Sequence, residues 1–243
     1  MAISKLNNII KIKKENYSFY KIEYGRLNFV FSTSENGLDI NCISDEGITN
    51  IENIKKWFNV KNIGYLKQIH SDLIYNYDGK IHEGDALIAD NDNTAVGIFT
   101  ADCVPVLLAD REKNVIAAVH SGWRGSLKMI VFKTIKKLKK EYGCKEDNII
   151  AVIGPHIMNC CYYVGEEVFN SFSDVKELKG ININNNGRLD LKEIIKHQLS
   201  FSGIKKENIM FLDMCTYCNE NNEFHSYRKN KTSKRNFSFV YIK

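Results

Sequence analysis

The sequence predicts a single-domain sandwich of mixed strands and helices, of the α/β or α+β class. Three observations carry that prediction. The 243 residues are 44% hydrophobic and 26% charged, an ordinary globular balance. Apolar runs of strand length recur through the chain, without the strict strand–helix alternation of a Rossmann sheet. After Val119 the apolar residues shift to helical spacing. No Pro/Ser-rich linker interrupts the chain, its two prolines (Pro105 and Pro155) lie inside patterned segments, and no repeat is visible, so one domain over 1–243 is expected.

The elements follow in order. Residues 17–24 and 27–32 read as strands flanking Gly25-Arg26, a tight hairpin turn. Residues 64–69 form another short strand candidate. Three apolar runs, 95–99, 104–109 and 115–119, are of strand length, and the polar stretch 110–114 between the last two reads as a hairpin turn. Leu127, Ile130, Val131, Thr134, Ile135 and Leu138 then mark one face of an amphipathic helix that opens at Gly122-Trp123-Arg124-Gly125, with lysines on its solvated face. Residues 148–153 read as a buried strand, 164–172 and 190–199 as helices with Asp190 as an N-cap, 180–187 as a polar loop, and 209–212 and 237–242 as late strands.

Composition excludes several classes. Disorder, collagen and coiled coil do not fit it. No apolar run approaches the roughly 20 residues of a membrane span, since the longest, 96–109, is cut by Asp102. Residues 1–14 lack the apolar core and small-residue cleavage site of a signal peptide, so a cytoplasmic location is expected. Lys and Arg number 34 against 29 Asp and Glu, a net charge of +5 that suits anionic substrates without arguing for nucleic acid. No nucleic acid, membrane or obligate protein partner is expected. Neither a GxGxxG nor a GxxxxGK[ST] loop occurs.

Three segments pair a reactive residue with tight local punctuation: Lys67-Gln68-Ile69-His70, Thr100-Ala101-Asp102-Cys103 and His120-Ser121-Gly122-Trp123-Arg124. The spacing of His70, Cys103 and His120 matches no linear zinc finger, but a thiolate and two imidazoles from separate elements make a sound catalytic zinc set with one position left for water. Asp102 or Asp72 is expected to orient a ligand histidine. The same atoms also suit a nucleophilic thiolate with a histidine base. A helix opening at Gly122 offers unpaired N–H groups and Arg124 to an anion, and equally a Gly-rich turn with a packed Trp. Seven cysteines, an odd number, argue against a disulfide scaffold. Cys160, Cys161, Cys215 and Cys218 read as free thiols, because adjacent Cys160 and Cys161 do not easily share one metal.

The segments KQIHSD, GDALIAD, TADCVPVLLAD, AVHSGWRG, GPHIMNCCYYVGEEV, LDLKEIIKHQL and CTYCNENNEFHSYRKN, in this order, resemble the bacterial laccase-domain family. That family was first labelled multicopper polyphenol oxidase and later read as purine nucleoside phosphorylase with adenosine deaminase activity. The resemblance runs from about Lys67 to the C-terminus. It implies a four-layer α/β/β/α sandwich and a catalytic zinc on His70, Cys103 and His120. It also implies phosphorolysis of adenosine, inosine and methylthioadenosine, and hydrolytic deamination of adenosine. Asp102 is the expected acid/base, and Gln68, Arg124, Arg228 and Arg235 are expected at substrate and phosphate. The chain departs from the family at Ser121 (usually alanine), at Lys229 (usually the second Arg of a pair) and at Ser233-Lys234-Arg235 (usually Thr-Gly-Arg), which bears on the anion-binding loop.

Rival readings stand beside this one. A multicopper oxidase needs more histidines than the six scattered here, although softness permits one copper on the same trio. A metal-free Cys/His amide hydrolase, of the kind used in cell-wall editing, uses the same geometry. A redox or binding module would use the second cysteine group.

Overall fold

The computed structural model describes residues 9–243; the first eight residues of the stretch read above as lacking a signal peptide lie outside them. In chain order the elements are β1 (Ile9–Lys14), β2 (Tyr17–Tyr24), β3 (Leu27–Ser32), α1 (Asp45–Phe58), β4 (Asn62–Gly64), β5 (Ile74–Asn76), β6 (Ala86–Ala89) and β7 (Thr94–Thr100). Next come β8 (Val104–Asp110), β9 (Ile116–Ser121), α2 (Trp123–Leu127), α3 (Ile130–Tyr142), β10 (Ile149–Ile153) and α4 (Glu166–Ser173). The chain closes with β11 (Asn184–Asn185), β12 (Arg188–Leu189), α5 (Leu191–Phe201), β13 (Ile209–Phe211), α6 (Tyr227–Asn230) and β14 (Asn236–Ile242).

The strands form two six-stranded mixed sheets, β1-β2-β3-β14-β7-β4 and β13-β10-β8-β9-β6-β5, and β11 and β12 form a small hairpin that starts in the segment read as a polar loop and ends just beyond it. Side chains of a strand alternate between faces, and the alternation sorts the core into layers. In β7, Val96 and Ile98 point between the sheets while Ala95 and Phe99 pack towards α1. In β8, Leu107 and Ala109 face the other sheet while Val104, Val106 and Leu108 face α3 and α5. The result is the four-layer α/β/β/α sandwich. β7, β8 and β14 are covered on both faces, so they are buried at every position and mostly apolar.

Local chemistry explains the boundaries. Gly25 takes φ +58 in the β2–β3 turn, a conformation glycine adopts without a Cβ clash. Asp190 caps α5 by accepting from the Glu193 N–H at 3.0 Å. The helix expected from Gly122 onward is two helices: Met129 takes φ 60 between α2 and α3, and α3 buries Ile130, Val131, Thr134, Ile135 and Leu138. Lys133 and Lys137 on its outer face pair with Asp72 (2.6 Å) and Glu141 (2.8 Å). The strand expected at 64–69 is instead β4, which ends at Gly64, after which the chain turns to carry His70. Besides the short strands β5 and β6, two longer elements lay outside the sequence reading, β1 and α1. The latter is capped by Ser44 and buries Ile51, Ile54 and Phe58 against the first sheet. Among the described residues no helix is long and apolar enough to cross a membrane.

Candidate metal and active centre

The site forms where the chain crosses from one sheet to the other. β7 ends at Thr100 in the first sheet and β8 starts at Val104 in the second, so Asp102 and Cys103 lie on the crossover. Asp102 takes φ 98, a strained conformation for a residue with a side chain. Its carboxylate accepts from the Thr216 hydroxyl and the Arg228 backbone N–H, both at 2.7 Å, and its carbonyl from the Ile157 N–H at 2.9 Å. Those bonds anchor the residue before Cys103.

His120 comes from the buried strand β9, and His70, at φ 58, from the loop between β4 and β5. One residue joins them. Asp85, fully buried just ahead of β6, accepts from His120 Nδ1 at 2.7 Å, from the backbone N–H groups of Ile69, His70 and Ser71, and from the Ser71 hydroxyl at 2.6 Å. The carboxylate expected to orient a histidine is therefore Asp85. Asp72 pairs with Lys133 at the surface, and Asp102 is oriented by Thr216 and the Arg228 backbone N–H, away from both histidines' hydrogen bonds. The available sequence signal for Asp85 was its place at the head of an apolar strand, 35 residues from His120.

The Sγ of Cys103 and the ring nitrogens of His70 and His120 lie within 4.8 Å of one another, with Sγ 3.9 Å from His70 Nε2. The imidazole rings meet edge to face at 4.9 Å. Because Asp85 occupies Nδ1 of His120, Nε2 is left for a metal. A Cβ on Gly122 would stand 2.8 Å from Cys103 Sγ and 3.3 Å from the His70 ring, so the glycine leaves the cradle open. One sulfur and two nitrogens in this span fit the ligand set of a tetrahedral zinc ion with an open position.

The charges agree with that use. Burial pushes the Cys103 thiol up, but His120 and His70 outweigh it and bring it down to about 6. Burial pushes His120 down, but Cys103 and Asp85 raise it to about 9. Burial likewise works against the Asp85 carboxylate, and the His120 bond overcomes it, lowering it to about 2.

Above the trio opens a cavity of about 440 Å³. Gln68, Asp102, Arg124, Arg228 and Arg235 all line it, with Phe99, Trp123, Tyr162 and Tyr227 as aromatic walls. Their states differ. The Gln68 amide donates to the Phe99 carbonyl at 2.8 Å and accepts from the Phe99 N–H at 2.7 Å, which makes Gln68 a strut for the His70 loop at the cavity wall. Arg228 donates to the Tyr163 carbonyl at 2.8 Å and lies 5.2 Å over the Tyr162 ring. Arg235 donates to the carbonyls of Thr232 and Lys234. The Arg124 guanidinium stacks on Trp123 at 4.4 Å and makes no hydrogen bond to another described residue, which leaves its donors to an anion. Lys234 does not need its family glycine: the left-handed residue of that loop is Lys231, at φ 50.

The second cysteine group departs from the sequence reading. The sulfurs of Cys160, Cys161, Cys215 and Cys218 all lie within 4.8 Å of one another. Adjacent cysteines diverge on an extended chain, but here the backbone turns at Met158, whose carbonyl accepts from the N–H groups of Cys161 and Tyr162.

Comparison with known proteins follows the same lines. The family model described as multi-copper polyphenol oxidoreductase laccase matches residues 21–243. A Clostridium acetobutylicum protein named purine nucleoside phosphorylase is 48% identical over 236 residues, covering 96% of this chain and 98% of that protein. A protein from an unknown prokaryotic organism, named adenosine deaminase, is 30% identical over 164 residues, covering 65% and 62%. The crystal structure of the Bacillus licheniformis hypothetical protein YfiH superposes with a TM-score of 0.83 at 25% identity, covering 93% of this chain and 96% of that one.

Proposed function

The chain belongs to the multi-copper polyphenol oxidoreductase laccase family, and from that premise we propose that it is a single-domain, zinc-dependent purine nucleoside phosphorylase with adenosine deaminase activity. The observation that carries the reading is the convergence of His70, Cys103 and His120, braced by Asp85, beneath a cavity with aromatic walls and three arginines. Zinc is preferred to copper at this trio because neither reaction calls for a redox change. Bound there, it would supply Lewis-acid stabilisation of developing negative charge.

This chain's own residues do the rest. Trp123, Tyr162 and Tyr227 offer faces on which a flat purine can stack. Arg124, with Arg228 and Arg235 beside it, holds phosphate near the sugar. In phosphorolysis a phosphate oxygen bonds to the anomeric carbon as the glycosidic C–N bond breaks, the electron pair leaving with the purine, which takes up a proton. The sugar passes through an oxocarbenium-like state, as in glycoside hydrolysis. In deamination water adds at C6 and ammonia leaves. Asp102 is the carboxylate lining the cavity, its orientation fixed by Thr216 and Arg228, and we assign the proton transfers to it. Free thiols suit a cytoplasmic setting.

Chromatography of the products formed from adenosine, with and without inorganic phosphate, tests this reading when wild type is run beside Cys103→Ala. Adenine that appears only with phosphate and inosine that appears without it are expected from wild type, and neither from the variant. Wild type carrying one zinc at this trio yet yielding neither product would sink the proposal. One observation favours a second reading: a Cys103 thiol near 6 beside His120 also describes the nucleophile of a metal-free amide hydrolase. Such an enzyme would be indifferent to chelators.

A further inference from the structure

We propose that Cys160, Cys161, Cys215 and Cys218 hold a second zinc ion, a structural one, in a four-thiolate site separate from the His70/Cys103/His120 trio. The four sulfurs lie within 4.8 Å of one another, with Cys160 Sγ 3.6 Å from Cys218 Sγ. A tetrahedral ion with Zn–S bonds of about 2.3 Å spaces its sulfurs about 3.8 Å apart, so the group needs only a small contraction to enclose one ion. A disulfide needs sulfurs about 2.05 Å apart and joins them in pairs; all four cysteines are free thiols and converge on one point. An all-sulfur tetrahedral set selects zinc-class ions over magnesium or calcium.

The backbone is arranged for a thiolate as well. The Met158 N–H donates to Cys215 Sγ at 3.5 Å. On binding a divalent cation the four thiols release their protons to solvent, and the occupied site carries two net negative charges. Arg188, which reaches the Cys160 carbonyl at 3.4 Å, stands beside that charge.

The site has a mechanical role. It clamps the turn after β10 to the turn after β13, reinforcing the isolated bridge between His156 and Cys215 and the Met158 N–H bond to Cys215 Sγ. The first turn leads directly into Tyr162. The second carries Thr216, which holds Asp102, and runs on to Arg228, whose guanidinium lies over Tyr162. The ion would thus brace one wall of the cavity without touching substrate.

The test is metal analysis of the full-length protein expressed with zinc, beside Cys103→Ala, Cys218→Ser and the double variant. Two zinc ions per chain are expected for wild type, one for each single variant and none for the double. Cobalt(II) titration of the intact wild-type protein guards against a variant that fails to fold: one equivalent must show the intense visible bands of a tetrathiolate tetrahedral ion, in Cys103→Ala as in wild type. A single zinc per chain that is lost in Cys103→Ala, no tetrathiolate spectrum, iron in place of zinc, or a Cys160–Cys218 disulfide found by thiol titration would each overturn the proposal.

Discussion

The Nδ1 of His120 lies 2.7 Å from the Asp85 carboxylate, and both side chains are buried. This pair fixes which ring nitrogen faces the metal position. Asp85→Asn keeps the shape but removes the charge, so metal affinity should fall roughly 10- to 100-fold, with activity recovered in excess zinc. Competition against a coloured chelator checks the first part and zinc-supplemented kinetics the second. Unchanged affinity would remove Asp85 from the machinery.

Metal binding at the trio should depend on pH in a stated direction. In the metal-free protein Cys103 loses its proton near 6 and His120 keeps its own to about 9. Between those values a metal displaces one proton, from His120, so affinity should rise about tenfold per pH unit and level off above 9. Below 6 a second proton, from Cys103, steepens the dependence. In the metal-free fold the two shifts offset each other: the lowered Cys103 gives stability that is present above its unfolded value near 8.5 and is lost as pH falls through about 6. The raised His120 gives stability that is full below its unfolded value near 6.5 and is lost as pH rises through about 9. The lowered Asp85 gives stability present above about 3.9 and lost as pH falls through about 2. Calorimetric titration in buffers of different ionisation enthalpy counts the protons. Release of none at pH 7.5 would contradict the assignment.

How much of this was legible in the sequence depended on the range of each signal. The β2–β3 hairpin and the Asp190 cap are local, written in Gly25 and in one side chain three residues from its partner, and both came out as read. The trio was legible because His70, Cys103 and His120 each sit in a short, tightly punctuated segment, although His70 lies in a loop and not at a strand end. Asp85 was not, since its role comes from a strand pairing that places β6 beside β9. Helix α1 was missed because only Ile51, Ile54 and Phe58 mark its buried face, among lysines and asparagines. The second cysteines are free thiols, as read, but the convergence of their sulfurs was not legible, because sequence adjacency suggests divergence and only the turn at Met158 reverses that.

Gly122→Ala should damage the metal centre while sparing the fold. Its Cβ would meet Cys103 Sγ at 2.8 Å, so the sulfur must move away from the histidines. Overpacking of this kind costs about 1–3 kcal/mol, here taken largely by the ligand geometry. Zinc affinity should fall at least about tenfold per 1.4 kcal/mol so lost, with little change in far-ultraviolet circular dichroism. Full zinc occupancy at wild-type affinity would show that the cradle is looser than drawn.

Arg124 separates the two proposed reactions. Its guanidinium stacks on Trp123 and its donors are free. A charge-assisted bond to phosphate is worth about 1.5–3 kcal/mol. Arg124→Met, which keeps apolar cover over the Trp123 ring, should therefore raise the KM for phosphate roughly 10- to 100-fold. Deamination needs no phosphate, so its kcat/KM should change far less. Phosphorolysis measured against phosphate at saturating nucleoside, beside deamination in phosphate-free buffer, gives both numbers. Equal losses in the two reactions would mean that Arg124 acts through the purine or the shared wall of the cavity, and phosphate would then fall to Arg228 and Arg235, whose guanidinium groups already serve backbone carbonyls.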